Sequence, residues 1–118
     1  MFKKVLEKEN STIFLIVDAD VDGYTSAAII YLFIKSLYPD QKIIYLLHEH
    51  KQHGLEDHIK FLLDYNEPCD LVILPDSSSN DYEYHELLKE KNIPCLVLDH
   101  HEIDSDCPIS NNACIINN

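Results

Sequence analysis

The amino-acid sequence predicts an α/β fold, a three-layer α/β/α sandwich on a mainly parallel sheet of four to five strands. Two observations predict it. Short apolar runs rich in β-branched residues alternate with longer segments of helical periodicity, the pattern of repeated βαβ units with right-handed crossovers. Each of these runs also ends in residues able to bind a metal ion, and open α/β sheets bind ligands beyond the carboxyl ends of their strands. A chain of 118 residues makes one domain with one core, so residues 1–118 are read as a single domain.

The elements follow in order. Residues 12–18, "TIFLIVD", are β-branched and aromatic without polar alternation, as in a strand covered on both faces. Residues 24–38 are long enough for a helix, largely apolar at Ala27, Ile30, Leu32, Phe33 and Leu37, and Pro39-Asp40 stops it. "KIIYLL" at 42–47 repeats the buried-strand pattern. After Gly54, residues 55–66 set Leu55, Ile59, Leu62 and Leu63 at helical spacing. The cycle recurs with a strand at 70–75, a helix at 81–92 and a strand at 94–99. The apolar group from Ala113 to Ile116 is the candidate fifth strand.

Composition narrows the function. No apolar run approaches the roughly 20 residues of a membrane span, and "TIFLIV" is too short and runs too soon into Asp18 to be a signal peptide. The four cysteines form no CxxC pair and fit no zinc spacing, so a reduced, cytoplasmic chain is expected. A formal charge of −12 argues against unaided binding to long nucleic acid. It leaves room for a phosphate substrate if cations sit in the site, because bound divalent ions reverse the local sign.

The polar residues at the strand ends form one constellation. Asp18, Asp20 and Asp22 follow the first strand, and His48 and His50 the second. Asp76 follows the third, and Asp99, His100 and His101 the fourth. "DADVDG" at 18–23 matches the opening of a calcium loop. However, the twelfth position counted from Asp18 is Ile29, and a strand precedes the loop where a helix is required. A phosphatase with a D-x-D nucleophile needs a downstream lysine. Only Lys89 and Lys91 follow the third strand, both on a solvated helix. A phospho-receiver domain with Asp76 as acceptor fails for the same want of a lysine. "LVLDHHE" at 96–102 decides the matter. Adjacent histidines behind a strand-terminal aspartate, with carboxylates on neighbouring strands, favour a metal site of mixed nitrogen and oxygen donors. The five carboxylates Asp18, Asp20, Asp22, Asp76 and Asp99 would otherwise repel one another.

Three ordered motifs then carry a family resemblance: "DADVDG" at 18–23, "PDSSSND" at 75–81 and "LDHHE" at 98–102. With "HGL" at 53–55, the sequence resembles the DHH phosphoesterases over nearly its whole length, and RecJ-type single-strand exonucleases among them. That resemblance implies hydrolysis of phosphodiester bonds in single-stranded DNA or RNA, or in short oligonucleotides, by a water activated between two metal ions. Manganese is the expected ion and magnesium the alternative. Asp20 and Asp22 would bind metal with Asp18 close by, Asp76 would bridge the ions and belong to the catalytic group, and His100 would coordinate. Asp99 would ligate or orient His100, and His101 would face the substrate phosphate. Thr25 and Ser26, at the start of the helix behind Gly23, are expected to cradle phosphate, with His48 and His53 reaching the substrate. His50, His58 and His85 are expected to be solvated, and Tyr82 and Tyr84 to pack. Pyrophosphate or phosphomonoester hydrolysis, or an inactive metal- or nucleotide-binding module acting with a partner, are the rival functions. Family members continue past the third motif, and no acidic residue follows Asp106 here. The chain is therefore expected to be cut before a last metal-ligand segment and a C-terminal substrate-binding domain. An exposed strand edge leaves room for a homodimer.

Overall fold

The computed structural model describes residues 2–48 and 54–118. The first element, helix α1 (Phe2–Glu7), has no counterpart in the sequence reading. It precedes β1 (Thr12–Val17), α2 (Val21–Leu37), β2 (Lys42–Leu47), α3 (Ile59–Asp64), β3 (Leu71–Pro75), α4 (Tyr82–Glu90), β4 (Cys95–Asp99) and β5 (Ala113–Asn117). The five strands form one sheet in the order β2-β1-β3-β4-β5, every pair parallel. The candidate fifth strand is thus a strand, and the sandwich is the expected one.

Strand alternation builds the layers. Phe14 and Ile16 of β1 point to one face, where Val72, Leu74, Cys95 and Val97 join Leu62 of α3 and Leu88 of α4. Ile13, Leu15 and Val17 point to the other face, against Leu6 of α1 and Ala27 and Ile34 of α2. All six residues of β1 and all five of β3 are buried, as expected of central strands in a parallel sheet. β2 departs from expectation. It is an edge strand, with Lys42, Tyr45 and Leu47 exposed. An apolar run without alternation does not distinguish a doubly covered strand from an edge strand whose outer face stays open.

Helix boundaries moved for local reasons. α2 begins at Val21 because Asp20 caps it, its carboxylate accepting the Gly23 N–H at 2.7 Å. α3 begins only at Ile59, because residues 55–58 form a turn in which the Leu55 carbonyl accepts both His58 N–H and Ile59 N–H.

The strand order places the site. From β1 the chain crosses to β2 on one side, and β3, β4 and β5 then build out on the other side. The crevice at such a reversal, here at the carboxyl ends of β1 and β3, is where doubly wound sheets bind ligands. A concavity of about 980 Å³ lies at the opposite end of the sheet, lined by Lys8, Ser11, Thr12, Gln41, Lys42 and Glu67 among others. It holds none of the motif residues.

Candidate metal centre

Asp18 is the first residue past β1 and Asp76 the first past β3, so they face each other across the crevice. Asp18 is fully buried and Asp76 nearly so. Asp18, Asp20 and Asp76 offer ligand oxygens that all lie within 4.8 Å of one another, as do the ligand atoms of Asp76, His100 and His101. Asp76 belongs to both groups and joins them, and its Oδ1 meets His100 Nε2 at 2.6 Å. Its other oxygen is buried without a hydrogen-bond partner. Burial, with Asp20 alongside, raises the Asp76 carboxyl above the ordinary range, against the lowering pull of His100. Crowded carboxylates, with one Asp76 oxygen lacking a hydrogen-bond partner and an imidazole at contact distance, match the donor set of a divalent cation.

The backbone sets these side chains. Asp76 has φ of 62° and its N–H donates to the Leu98 carbonyl at 2.7 Å. Aspartate tolerates this left-handed region better than most residues. The β3–β4 ladder therefore fixes Asp76 while its reversed φ turns the chain into the serine loop. Gly23 is required by proximity, since a Cβ there would lie 2.4 Å from the Asp18 carbonyl oxygen and 2.6 Å from the Asp18 Cβ.

The third motif is a self-contained turn. Asp99 Oδ1 accepts the His100 N–H at 2.8 Å, the His101 N–H at 3.2 Å and His101 Nδ1 at 2.6 Å. Its Oδ2 accepts the Ser79 N–H at 3.2 Å. Burial would raise this carboxyl, but the bonds from Ser79, His101 and His100 outweigh it and hold Asp99 at about 2. The same bond raises the His101 pKa, with burial opposing and the charges of Asp99, Asp76 and Asp18 assisting. Engagement of Nδ1 by Asp99 sets Nε2 as the nitrogen that His101 presents to a ligand.

The other expected site residues are placed less centrally. Asp22 is exposed in the first turn of α2 and belongs to neither ligand group. Asp99 is in neither group as well, its oxygens being spent on the turn. Thr25 is exposed on α2, and Ser26 Oγ donates to the Gly23 carbonyl at 3.2 Å. His48 is buried, with Nε2 at 3.5 Å from Asp18 Oδ1. His53 lies outside the described residues, as does His50.

Several polar residues behind the site were not foreseen. His85 is buried rather than solvated, its Nε2 3.1 Å from Ser78 Oγ, and burial lowers its pKa below the ordinary 6.5. The His58 ring stacks on that of His48 with centroids 4.9 Å apart. Asn117, at the end of β5, donates to Ser79 Oγ at 2.9 Å and to the His101 carbonyl at 2.8 Å, steadying the turn from the outer strand. The Asn117 role depends on β5 lying beside β4, which the apolar group at 113–116 already suggested. Nothing in local spacing signals the pairing of Ser78 with His85. Burial pushes the Cys95 thiol up to about 12 and the Cys69 thiol to about 11, as suits packing residues.

The fold is thus a doubly wound α/β sheet that gathers carboxylates and imidazoles, as candidate metal ligands, at its switch point. The chain belongs to the DHH family, whose N-terminal-domain model matches residues 12–118. It is 39% identical over 106 residues to YorK of Bacillus subtilis (strain 168), an SPbeta prophage-derived protein named provisionally as a single-strand DNA-specific exonuclease. The YorK protein of Bacillus phage SPbeta matches equally. Both alignments cover 90% of the chain and 17% of the relative. The fold matches exonuclease RecJ bound to manganese with a TM-score of 0.76 at 19% identity, over 98% of this chain and 28% of that one. It also matches RecJ of Thermus thermophilus in complex with Mn²⁺, with a TM-score of 0.71 at 19% identity, over 94% of this chain and 15% of that one.

Proposed function

We propose that the protein to which this domain belongs hydrolyses phosphodiester bonds in single-stranded DNA, with manganese as its metal and magnesium as the alternative. The single observation that carries the reading is Asp76. It is buried, has one oxygen without a partner, and is shared by the Asp18–Asp20 carboxylates and the His100–His101 pair. The names of the relatives supply the polymer, and the metal in the RecJ structures supports the ion.

Bound at such a site, divalent ions lower the pKa of water toward neutrality and act as Lewis acids on phosphoryl oxygen. The residues of the chain then have distinct tasks. Asp18, Asp20, Asp76 and His100 are the proposed metal ligands. Asp99 holds the His101 ring so that Nε2 faces the phosphate, and the raised His101 pKa favours the protonated, hydrogen-bond-donating form. The cap at Asp20 directs the start of α2 along the same edge, where Thr25 is open to a phosphate oxygen. The chain has no arginine and a formal charge of −12, so a polyanion meets no guanidinium here. Bound cations and His101 are the sources of positive charge at the site. The unpaired cysteines fit a reducing cytoplasm.

The test is hydrolysis of end-labelled single-stranded DNA, a duplex of the same sequence, single-stranded RNA, a dinucleotide and pyrophosphate, with Mn²⁺, Mg²⁺ or chelator. Preferential Mn²⁺-dependent release of nucleotides from the DNA single strand, abolished in Asp76→Ala, is expected. Preference for pyrophosphate, or activity undiminished in Asp76→Ala, would overturn the proposal.

A further inference from the structure

Two polar networks run back from the metal ligands and end on the same short segment, residues 54–58. The first begins at Asp18. The parallel register of Val17 with Leu47 sets the next residues, Asp18 and His48, side by side. The His48 side chain is wholly buried, with Nε2 3.5 Å from Asp18 Oδ1. Its Nδ1 lies 3.2 Å from His58 Nε2 and 3.4 Å from Asp57 Oδ2, and the two imidazole rings stack at an interplanar angle of 26°.

The second network begins in the loop after Asp76. Ser78, at φ of 81°, donates its hydroxyl to Asp81 Oδ2 at 2.6 Å. That same oxygen accepts the Leu55 N–H at 3.0 Å. Gly54, at φ of 77°, lies so close that a Cβ there would sit 2.1 Å from Asp81 Oδ2. Leu55 is fully buried in the core beneath, and its carbonyl closes the turn to His58 and Ile59.

We propose that residues 54–58 form a brace that sets the spacing of Asp18 and Asp76, with His48 and Asp81 as the positioning residues at its two ends. The inference rests on the metal-site reading above. The brace is anchored at one end by Asp81 on the Asp76 loop and at the other by His58 and Asp57 on His48. The segment between them is a hydrogen-bonded turn pinned in the core. Movement of one carboxylate is therefore transmitted to the other through the Asp76 loop, the turn at 55–58 and part-buried polar contacts at its two ends. Groups that orient metal ligands from behind are worth roughly 10- to 100-fold in metal affinity.

The experiment is calorimetric titration of Mn²⁺ into the 118-residue chain. It compares the wild type with His48→Ala, Asp81→Ala and the double variant, each checked for native circular dichroism. Each single variant should weaken Mn²⁺ binding by about 10- to 100-fold, and the double variant little beyond the worse single one, because both cut one path. His48→Gln, which keeps a polar nitrogen near Asp18 but loses the Nδ1 contacts with His58 and Asp57, should stay weakened; wild-type affinity in this variant would overturn the brace. In Asp81→Ala the Leu55 amide should also lose its protection from hydrogen exchange; retention of that protection would count against the brace. Unchanged affinity in both single variants, or losses that simply multiply in the double variant, would overturn the proposal. Where His48→Ala or Asp81→Ala does not fold, His48→Gln and Asp81→Asn carry the same comparison. A wild type that binds Mn²⁺ without hydrolysing any phosphoester sinks the proposed chemistry but leaves the brace to be judged on affinity. A wild type that binds no Mn²⁺ sinks both.

Discussion

At the end of β4, the Asp99 carboxylate accepts four hydrogen bonds, from Ser79, His100 and twice from His101, and sits at about 2. At the ends of β1 and β3, Asp18, Asp20 and Asp76 crowd oxygen atoms within 4.8 Å of each other, and Asp76 shifts upward. Both regions place buried aspartate at a strand terminus, yet their protonation is pushed in opposite directions. The difference is supply. The Asp99 turn contains its own donors and is organised by the chain alone. In the Asp76 cluster one buried oxygen of Asp76 has no hydrogen-bond partner and carboxylates crowd together, which a cation would relieve. Rigid turn and unsatisfied cluster meet at His100, which bonds Asp99 through its backbone and Asp76 through its ring.

The sharpest way to break this contrast is at Asp76. Replacement by alanine removes the residue shared by both ligand groups. The proposed Mn²⁺-dependent phosphodiester hydrolysis should fall by well over about 100-fold, since outer partners alone are worth roughly 10 to 100. Steady-state assays over a range of Mn²⁺ concentrations check it. Recovery at high Mn²⁺ would show that Asp76 tunes affinity only.

Asp99→Asn attacks the other side. One amide oxygen cannot replace two carboxylate oxygens, and its NH₂ would face the Ser79 N–H. The His101 ring should lose its fixed tautomer, and activity should fall by about 10- to 100-fold, with Mn²⁺ affinity changing less than in Asp76→Ala. Nitrogen NMR of the imidazole rings reads the tautomer directly. An unchanged His101 tautomer in the variant would contradict the role given to Asp99.

A smaller effect is expected at Gly23→Ala. The added methyl meets the Asp18 backbone carbonyl, which cannot give way as a flexible side chain can. A cost of roughly 1–3 kcal/mol in denaturant unfolding is expected, with weakened Mn²⁺ binding because Asp18 moves.

The smallest effect concerns His85, which belongs to neither half but supports the loop between them. Burial lowers its folded pKa below 6.5, so its neutral form is favoured in the folded state. Its contribution to stability is full above the unfolded value near 6.5 and is lost as pH falls through the lower folded value. Unfolding free energy should therefore decline below about pH 6.5, more steeply than in His85→Asn. Identical slopes for the two proteins would remove His85 from this scheme.

Much of this arrangement was legible in the sequence, and the reasons are specific. β1, β3 and β4 are short apolar runs that end on Asp18, Asp76 and Asp99, so the period and the terminal charges agree, and the sheet edge did the rest. α1 escaped notice because six residues, "FKKVLE", carry too little periodicity to register. β2 read as buried because its composition is that of a central strand, while its edge position follows from strand order alone. The divided roles of the carboxylates were also hidden. Asp20 and Asp22 are two apart on the chain, but the cap turns Asp20 inward and leaves Asp22 on the outer surface of α2. The partners of His85 and Asp81 arise from tertiary contacts, among them Leu55 N–H to Asp81 across 26 positions, and no local pattern encodes them.

The Asp18–Asp20–Asp76 cluster is the proposed cation site on which the roles of both regions depend. Thermal unfolding of the chain with and without Mn²⁺, in wild type and in Asp76→Asn, puts that to the test. A ligand at a hundredfold excess over its Kd adds about 2.7 kcal/mol, which is several degrees in a domain of this size. Such a rise is expected in the wild type, and its near absence in Asp76→Asn. An equal Mn²⁺ response in both proteins would contradict the assignment.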